Sequence, residues 1–351
     1  MLQKTVLQKP VPQKTVLQKT VAAVLIVLVA VAGSASPARA APGSSGDDGE
    51  GGSKSLTQQL DAASRGYLQA KDKLAGSRKT QADLAARLKQ IDAEMAPRQA
   101  AFDQVVQESY RTGRLGPMSA LLTANSSAGF LDRAEVLQTV AGRQQKAMRD
   151  LATTRETRSR AKAAIDTTVR DQQKQVAVMA ARKAQAEAAL KTADVGQDAP
   201  QPGDGGGSAK ATSVKRNGDG SLSPEGCTVN DPTTDGCITP RMLHALEQAK
   251  SAGFTHYVAC FRHQDSGEHP LGRACDFAAD KGGFGGVASG ASKDYGTRLA
   301  NYFINNSDEL GVLYVIWFRR IWLPSSGWKA YTKGNGDPSS EHENHVHLSV
   351  R

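Results

Sequence analysis

Apolar residues recur alternately four and three positions apart between residues 56 and 95. The seam consists of Leu56, Leu60, Ala63, Tyr67, Ala70, Leu74, Ser77, Gln81, Leu84, Leu88, Ile91 and Met95. Most of these positions are apolar, and Lys, Arg, Gln, Asp and Ala fill the positions between them. This period predicts a long α-helix with a coiled-coil seam. Pro97 either kinks this helix or starts a second one.

The pattern breaks between Arg111 and Phe130, where three glycines, Pro117 and an Asn-Ser-Ser cluster surround the apolar stretch MSALL. We expect a hairpin head with a short apolar helix inside it. A second long helix, with a weaker seam, follows from Leu131 to about residue 193. Its seam is Leu137, Ala141, Met148, Leu151, Ile165, Val169, Val176, Met179 and Leu190. The pattern predicts an antiparallel α-helical coiled-coil hairpin over residues 54–195, which acts either as a spacer or as a docking device.

The last part of the chain mixes helical and strand patterns. Gly, Pro, Ser and Asp dominate residues 196–222, which predicts a disordered linker before a domain at 223–351. Thr239 and Pro240 predict the start of a helix that ends before Gly253. A second helix is expected from Asp294 to about Ser307. Strands are expected at 255–261, 274–278, 312–318, 320–323 (which continues or pairs with the one before) and 345–350. The resulting fold class is α+β with an antiparallel sheet and flanking helices.

The N-terminus has the three parts of an export signal. Four lysines precede the apolar run 21–32, and Ala38-Arg39-Ala40 forms a cleavage site. Residues 1–40 are therefore predicted to be a signal peptide, and residues 41–53 a flexible linker. The apolar run is shorter than the roughly 20 residues that span a bilayer, so a retained signal anchor is the weaker alternative. We expect a secreted, cell-wall-associated protein.

Charge and cysteine content narrow the function classes. The formal charge is +9, and residues 1–40 carry five basic residues and no acidic one, so their removal leaves a mildly basic chain. No nucleic-acid motif or basic and aromatic stripe occurs, so nucleic acid is not an expected partner. The four cysteines of an exported chain predict two disulfides. Four cysteines allow three pairings, and local proximity favours Cys227–Cys237 and Cys260–Cys275.

Two short stretches carry the candidate chemistry, namely HPLGRACD at 269–276 and EHENHVH at 341–347. His269 is expected in a loop that Pro270 and Gly272 keep non-helical, and Asp276 at the start of a strand. His345 and His347 share one strand face, because side chains alternate with period two. A peptidase-type zinc site needs three protein ligands and an open position for water, which these residue types can provide.

The interrupted coiled coil, with ESYRTGRLGPMSALLTANSSAGFLDR at its centre, resembles the N-terminal coiled coils of secreted actinobacterial and firmicute peptidoglycan hydrolases. In those proteins, the coiled coil precedes a catalytic domain and controls its access to the wall. The resemblance covers roughly residues 55–193. It makes a membrane-complex partner a candidate ligand of the hairpin.

The C-terminal motifs resemble the D-Ala-D-Ala metallopeptidase, hedgehog-like superfamily. The matching residues are Arg262, His269, Gly272, Ala274, Asp276, His345 and His347. The resemblance implies that His269, Asp276 and His347 bind Zn²⁺. It implies further that His345 stabilises an oxyanion or moves protons, and that Arg262 holds a substrate carboxylate or carbonyl. Gly267 stands where the family has serine, and the interval between Arg262 and His269 is short.

These observations predict an exported zinc-dependent peptidase, a carboxypeptidase or an endopeptidase, that cuts peptidoglycan stem or cross-bridge peptides. Glu341 is the first choice of general base, and Glu343 is the alternative. A different class remains open, in which a non-catalytic protein holds zinc structurally and binds the wall or a partner. The remaining histidines are expected to have ordinary surface or core roles, namely His244, His256, His263 and His342. The glycine-rich stretch 280–292 is expected to be a flap or an insertion.

Overall fold

A computed structural model describes residues 54–113, 116–192, 209–331 and 334–351. The predicted signal peptide, the first linker and residues 196–208 of the second linker lie outside the described residues. The helices are α1 (Lys54–Thr112), α2 (Gly116–Leu122), α3 (Ser127–Thr192), α4 (Pro240–Ser251), α5 (Gly290–Asn305) and α6 (Ser307–Leu310). The strands are β1 (Val229–Asn230), β2 (Cys237–Ile238), β3 (Val258–Ala259), β4 (Ala274–Ala278), β5 (Val312–Trp317), β6 (Arg320–Leu323), β7 (Gly327–Ala330) and β8 (His345–Val350).

Helices α1 and α3 pack along each other as the predicted antiparallel hairpin. Their contacts give the direction. Asp92 of α1 pairs with Arg158 of α3, whereas Ser77, which precedes Asp92, bonds to Thr168, which follows Arg158, so the two helices run in opposite directions. Helix α2 is the short apolar helix expected in the head. Pro97 lies inside a single continuous α1, so the alternative of a second helix starting at Pro97 is wrong.

The seam of α3 differs from its predicted composition. Met148 and Val176 are exposed, whereas the smaller residues Thr154, Ala161 and Thr168 are buried. At these points the prediction placed the seam on the wrong face of α3, because it favoured large apolar residues. The seam admits the two threonines because their hydroxyls donate within α3, to the carbonyls of Asp150 and Ala164. Polar pairs such as Gln172 and Gln81, at 2.8 Å, also join the two helices.

The C-terminal sheet has six strands in the order β3-β4-β8-β5-β6-β7, and every neighbouring pair is antiparallel. This confirms the α+β class. Residues 320–323 pair with β5 across a two-residue turn. The strand predicted at 255–261 is reduced to Val258–Ala259, and β7 was not predicted. Strand β8 lies between β4 and β5, so the residues that it carries are placed in the middle of the sheet.

One face of the sheet packs against the domain's own helices. Helix α4 begins as predicted, with Pro240 in its first turn and the Thr239 side chain accepting a hydrogen bond from the Met242 amide. Its apolar face joins that of α5 in a buried cluster with alternate residues of the strands, among them Phe277, Val346 and Leu348. Burying these side chains is the main source of stability for the domain.

The base of the hairpin packs against β5 and β6 on the opposite face of the sheet. A second buried cluster unites the base of the hairpin with strands β5 and β6. Its members are Leu56, Leu60, Ala63, Leu68, Ala186, Ala189, Leu190, Leu313, Tyr314, Ile316, Ile321, Leu323 and Tyr331. The hydroxyl of Ser64 also donates to the Leu313 carbonyl at 2.8 Å. The first turns of the predicted coiled-coil seam therefore form part of the core of the C-terminal domain.

Polar contacts surround this second cluster. Lys71 pairs with Asp308 at 2.7 Å, and Asp72 pairs with Arg351 at 2.6 Å. The described part of the second linker lies along the domain, where the Val214 amide donates to the Glu309 carbonyl at 2.8 Å. The hairpin and the sheet domain are thus joined by direct packing as well as through the linker.

Both expected disulfides are present. Cys227–Cys237 closes the loop that contains β1 and β2, and Cys260–Cys275 joins the residue after β3 to β4. Two disulfides are typical of a protein that folds in an oxidising compartment. Among the helices that the structure describes, none combines the length and the apolar character needed to cross a bilayer.

Candidate metal centre

His269 lies in a tight turn that precedes strand β4. The turn is a short 3₁₀ helix over His269–Leu271, so the prediction of a fully non-helical loop is wrong at this point. Pro270 favours its first turn, and Gly272 ends it with a φ of 66°. A Cβ atom at Gly272 would lie 2.5 Å from the Cys227 sulfur, so only glycine fits there. The turn is therefore held against the first disulfide.

The register of β4 and β8 brings the other candidate ligands together. Asp276 is paired directly with His347, and Ala278 with His345. Because residues two apart share a strand face, His345 and His347 lie on the side of the sheet that the Asp276 side chain occupies. The antiparallel ladder thus positions three of the predicted site residues without any loop.

His269, Asp276 and His347 form a cluster able to bind a metal ion, with one donor atom of each within 4.8 Å of the others. The His269 Nε2 atom lies 3.2 Å from His347 Nδ1 and 3.2 Å from Asp276 Oδ2. His347 Nδ1 lies 2.8 Å from Asp276 Oδ1. Ligands around a tetrahedral zinc with bonds of ~2.0–2.1 Å would lie about 3.3–3.4 Å apart, so the donor set fits such an ion after small adjustments.

The outer hydrogen bonds of the two imidazoles suit metal binding. His269 Nδ1 donates to the Cys260 carbonyl oxygen, which can only accept, so Nε2 keeps its lone pair. The Ser349 hydroxyl lies 2.8 Å from His347 Nε2 and can accept its proton, which leaves Nδ1 free to coordinate. Such outer acceptors are a regular feature of metal-binding histidines, because they fix the ring and its tautomer.

His345 directs a further nitrogen towards the same carboxylate. Its Nδ1 donates to Asn344 Oδ1 at 2.7 Å, and the Asn344 amide nitrogen is itself directed to the Gly285 carbonyl. The orientation leaves the His345 Nε2 lone pair 3.6 Å from Asp276 Oδ1. Several electron-pair donors therefore converge on one point, an arrangement that a cation would stabilise.

The centre is buried, with His269, Asp276, His345 and His347 between 0% and 2% exposed. Burial raises the pKa of Asp276, but the positive charges that His269, Arg262 and His345 can carry lower it, and the result lies well below the ordinary value. The Arg262 guanidinium donates to Asp276 Oδ2 at 2.5 Å. Asp276 is thus ionised, as a metal ligand must be.

The metal-free protein is expected to lose stability as the pH falls from about 6.5 to about 4. Burial lowers the pKa of His345 from 6.5 to about 4. Between these values the unfolded chain binds a proton that the folded protein excludes, so this contribution is complete above pH 6.5 and disappears towards pH 4. Urea unfolding of chelator-treated protein at several pH values measures it. His345→Gln should reduce the slope in this window without abolishing it, because burial also lowers the pKa of His342. An unchanged slope would contradict the assignment.

The two candidate general bases lie in the segment before β8. Residues Phe318 and Arg319 form the turn between β5 and β6, and their amides donate to the carbonyls of His342 and Glu341. The Glu341 carboxylate is buried, with Oε2 3.8 Å from Arg319 Nε. Burial raises the pKa of the Glu343 side chain. The backbone carbonyl of Glu343 accepts a hydrogen bond from the Ala288 amide. Within the described residues, no hydrogen bond or ion pair joins either carboxylate to the metal cluster.

Sequence reasoning missed three neighbours of the centre. His342, expected to have an ordinary role, is buried with its ring 4.8 Å from that of His345, and its φ of 54° is unusual for a non-glycine residue. Phe284 of the glycine-rich stretch lies 5.3 Å from the His345 ring, so this part of the stretch lies beside the centre. Ser349 could have been found, because period two places it on the same strand face as His347.

The fold and the donor set define an α+β domain with a buried cluster of two histidines and one carboxylate that could bind a metal ion. Residues 234–346 match the family model described as VldE, C-terminal domain. The match covers Arg262, His269, Asp276 and His345, ends one residue before His347, and includes none of the hairpin. The sheet domain is therefore similar to that family. No curated protein and no solved structure matches the chain significantly.

Proposed function

We propose that this protein is an exported zinc-dependent peptidase that hydrolyses peptide bonds of peptidoglycan. The observation that carries the proposal is the convergence of His269 Nε2, His347 Nδ1 and the Asp276 carboxylate on one point of the sheet. Two histidines and one carboxylate are a donor set found in zinc hydrolases. When bound there, zinc would supply a water of lowered pKa and a Lewis acid for the scissile carbonyl.

The chain's own residues would bind and orient the substrate. His345 is uncharged at neutral pH because burial lowers its pKa to about 4, so its Nε2 can accept a proton or a hydrogen bond at the reacting centre. Arg262 carries a cation at the edge of the cluster, where it would hold a substrate carboxylate or carbonyl. Glu341 is the first candidate for the group that removes the proton of the attacking water, and Glu343 is the second.

The substrate class rests on resemblance rather than on geometry. Both the interrupted coiled coil and the histidine and aspartate motifs resemble parts of enzymes that act on the cell wall. The two disulfides and the predicted export signal support this class. The hairpin head exposes Tyr110, Leu122 and Leu131, which supports the proposal that a membrane-complex partner docks there.

Metal analysis and peptidoglycan digestion of the full chain test the proposed function. We expect one zinc per chain and the release of peptide fragments that mass spectrometry identifies as cut stem or cross-bridge peptides. Glu341→Gln should lower the rate by about 100-fold or more, as expected for loss of a general base, with Glu343→Gln as the matched control. The reverse order of effects would assign the base to Glu343. Bound zinc without any cleavage would overturn the peptidase proposal.

A closed, non-catalytic zinc site is the second candidate, and one observation favours it. The centre is fully buried and His345 directs a fourth donor atom towards it, whereas structural zinc sites are closed by four protein ligands. His345→Ala separates the two candidates. A catalytic His345 would leave zinc affinity nearly unchanged and abolish cleavage. A structural fourth ligand would weaken zinc binding, and the wild-type protein would cut no peptidoglycan.

A further inference from the structure

Glu268 anchors the turn that carries His269. Its side chain is buried and accepts hydrogen bonds from Arg273 Nε, at the end of the turn, and from Arg65 Nη2 at 2.8 Å. Its backbone carbonyl accepts from the amides of Leu271 and Arg273, which close the turn. Any displacement of Glu268 would therefore move the backbone of the adjacent residue, His269.

Arg65 belongs to the hairpin, whereas Arg273 belongs to the sheet domain. Arg65 lies on α1, where Asp61, one turn earlier, accepts from its Nε at 3.0 Å and orients the guanidinium. A buried carboxylate must be paired with cations and hydrogen-bond donors, because an uncompensated buried charge is strongly destabilising. The hairpin thus supplies part of the compensation for a carboxylate of the domain.

The base of the hairpin also lies behind the second imidazole. The Tyr314 ring stacks on that of His347, with centroids 5.7 Å apart and planes 11° apart. Tyr314 is a member of the buried cluster that contains Leu56 and Leu60 of α1. Glu268, next to His269, and Tyr314, stacked on His347, therefore both belong to the packing between the hairpin and the sheet domain.

We propose that Arg65 is a positioning residue of the metal centre and that the base of the hairpin is a structural part of that centre. Through Glu268, Arg65 holds the turn that places His269 Nε2 beside Asp276 and His347. The proposal rests on the metal-binding part of the proposed function, and not on peptidase activity or on the substrate.

Zinc affinity of the full chain tests this role, measured by competition with a chromogenic chelator. Arg65→Gln should weaken zinc binding by about tenfold, no more than the lower end of the effects of direct partners of metal ligands, because Arg65 acts on His269 only through Glu268. Arg65→Lys, which keeps the cation, should recover most of the loss. Lys71→Gln is the matched control, because it removes another ion pair between the hairpin and the domain, Lys71–Asp308, away from the His269 turn.

The absorption spectrum of the cobalt-substituted protein gives a readout that a general loss of stability would not move. A changed d–d spectrum in Arg65→Gln, with the wild-type spectrum in Lys71→Gln, would support a positioning role. Asp61→Asn keeps the cation but loosens its orientation, so it should weaken zinc binding by a smaller factor and remains informative if Arg65→Gln does not fold.

Wild-type affinity and spectra in both Arg65→Gln and Asp61→Asn would overturn the role of Arg65 while leaving the metal centre intact. An equal loss in Arg65→Gln and Lys71→Gln would also overturn it, since the effect would then belong to the interface as a whole. A wild-type chain that binds no metal would overturn the proposed function itself, together with the centre that Arg65 is proposed to support.

Discussion

Replacing His269 by alanine is expected to lower the zinc affinity of the full chain by more than about 100-fold, because even outer partners of metal ligands contribute up to that factor. The substitution removes one of three donor atoms that lie within 4.8 Å of one another. It also removes the ring that donates to the buried Cys260 carbonyl, and an unsatisfied buried acceptor costs about 1–3 kcal/mol of stability. Metal content after gel filtration and urea unfolding measure the two effects.

His263→Ala is the matched control for this substitution. His263 lies six residues earlier in the same segment, is exposed, and contacts the Phe261 ring edge-on rather than the cluster. We expect it to keep the full metal content and a free energy of unfolding within about 0.5 kcal/mol of the wild type. Stoichiometric, tightly held zinc in His269→Ala would show that the cluster is not the metal site.

Replacing Leu60 by alanine is expected to lower the free energy of unfolding by about 2–5 kcal/mol, the cost of deleting a fully buried leucine side chain. Leu60 is 1% exposed and lies in the cluster that joins the hairpin to strands β5 and β6. If the hairpin were only a tethered coiled coil, the sheet domain would not be affected by this substitution. Urea unfolding, followed by tryptophan fluorescence, measures the effect on the sheet domain, because the tryptophans lie in that domain.

The matched control is Leu131→Ala, the same chemical change on α3 at a side chain that is 67% exposed. Its effect should remain within about 0.5 kcal/mol. Equal small effects of the two substitutions on the tryptophan transition would contradict the packing of the hairpin on the sheet. Increased binding of an apolar dye to Leu60→Ala, but not to Leu131→Ala, would support it.

The candidate metal ligands were predicted from the resemblance to the D-Ala-D-Ala metallopeptidase, hedgehog-like superfamily, and a local rule accounts for only part of their placement. Period two puts His345 and His347 on one strand face, whereas the pairing that brings Asp276 beside His347 depends on the completed sheet. Both disulfides followed from proximity along the chain. The neighbours His342 and Phe284 could not be predicted in the same way, since they come from irregular segments whose backbone path depends on the completed sheet.

The contacts of the hairpin with the sheet could not be predicted either. A heptad period indicates that Leu56 and Leu60 pack against a partner, but it does not distinguish a helix from a sheet as that partner. The pairing of Arg65 with Glu268 joins residues 203 positions apart, and each alone resembles an ordinary surface charge. On α3, apolar identity favoured Met148 and Val176, while the seam is built from smaller residues that the period alone does not distinguish.

The continuity of α1 through Pro97 has a structural consequence. Arg65, beside the His269 turn, and Tyr110, which is 90% exposed at the hairpin head, belong to the same unbroken helix. At ~1.5 Å per residue, the path between them is about 70 Å long. The hairpin head and the turn that carries His269 are therefore connected by one helix, with no loop between them.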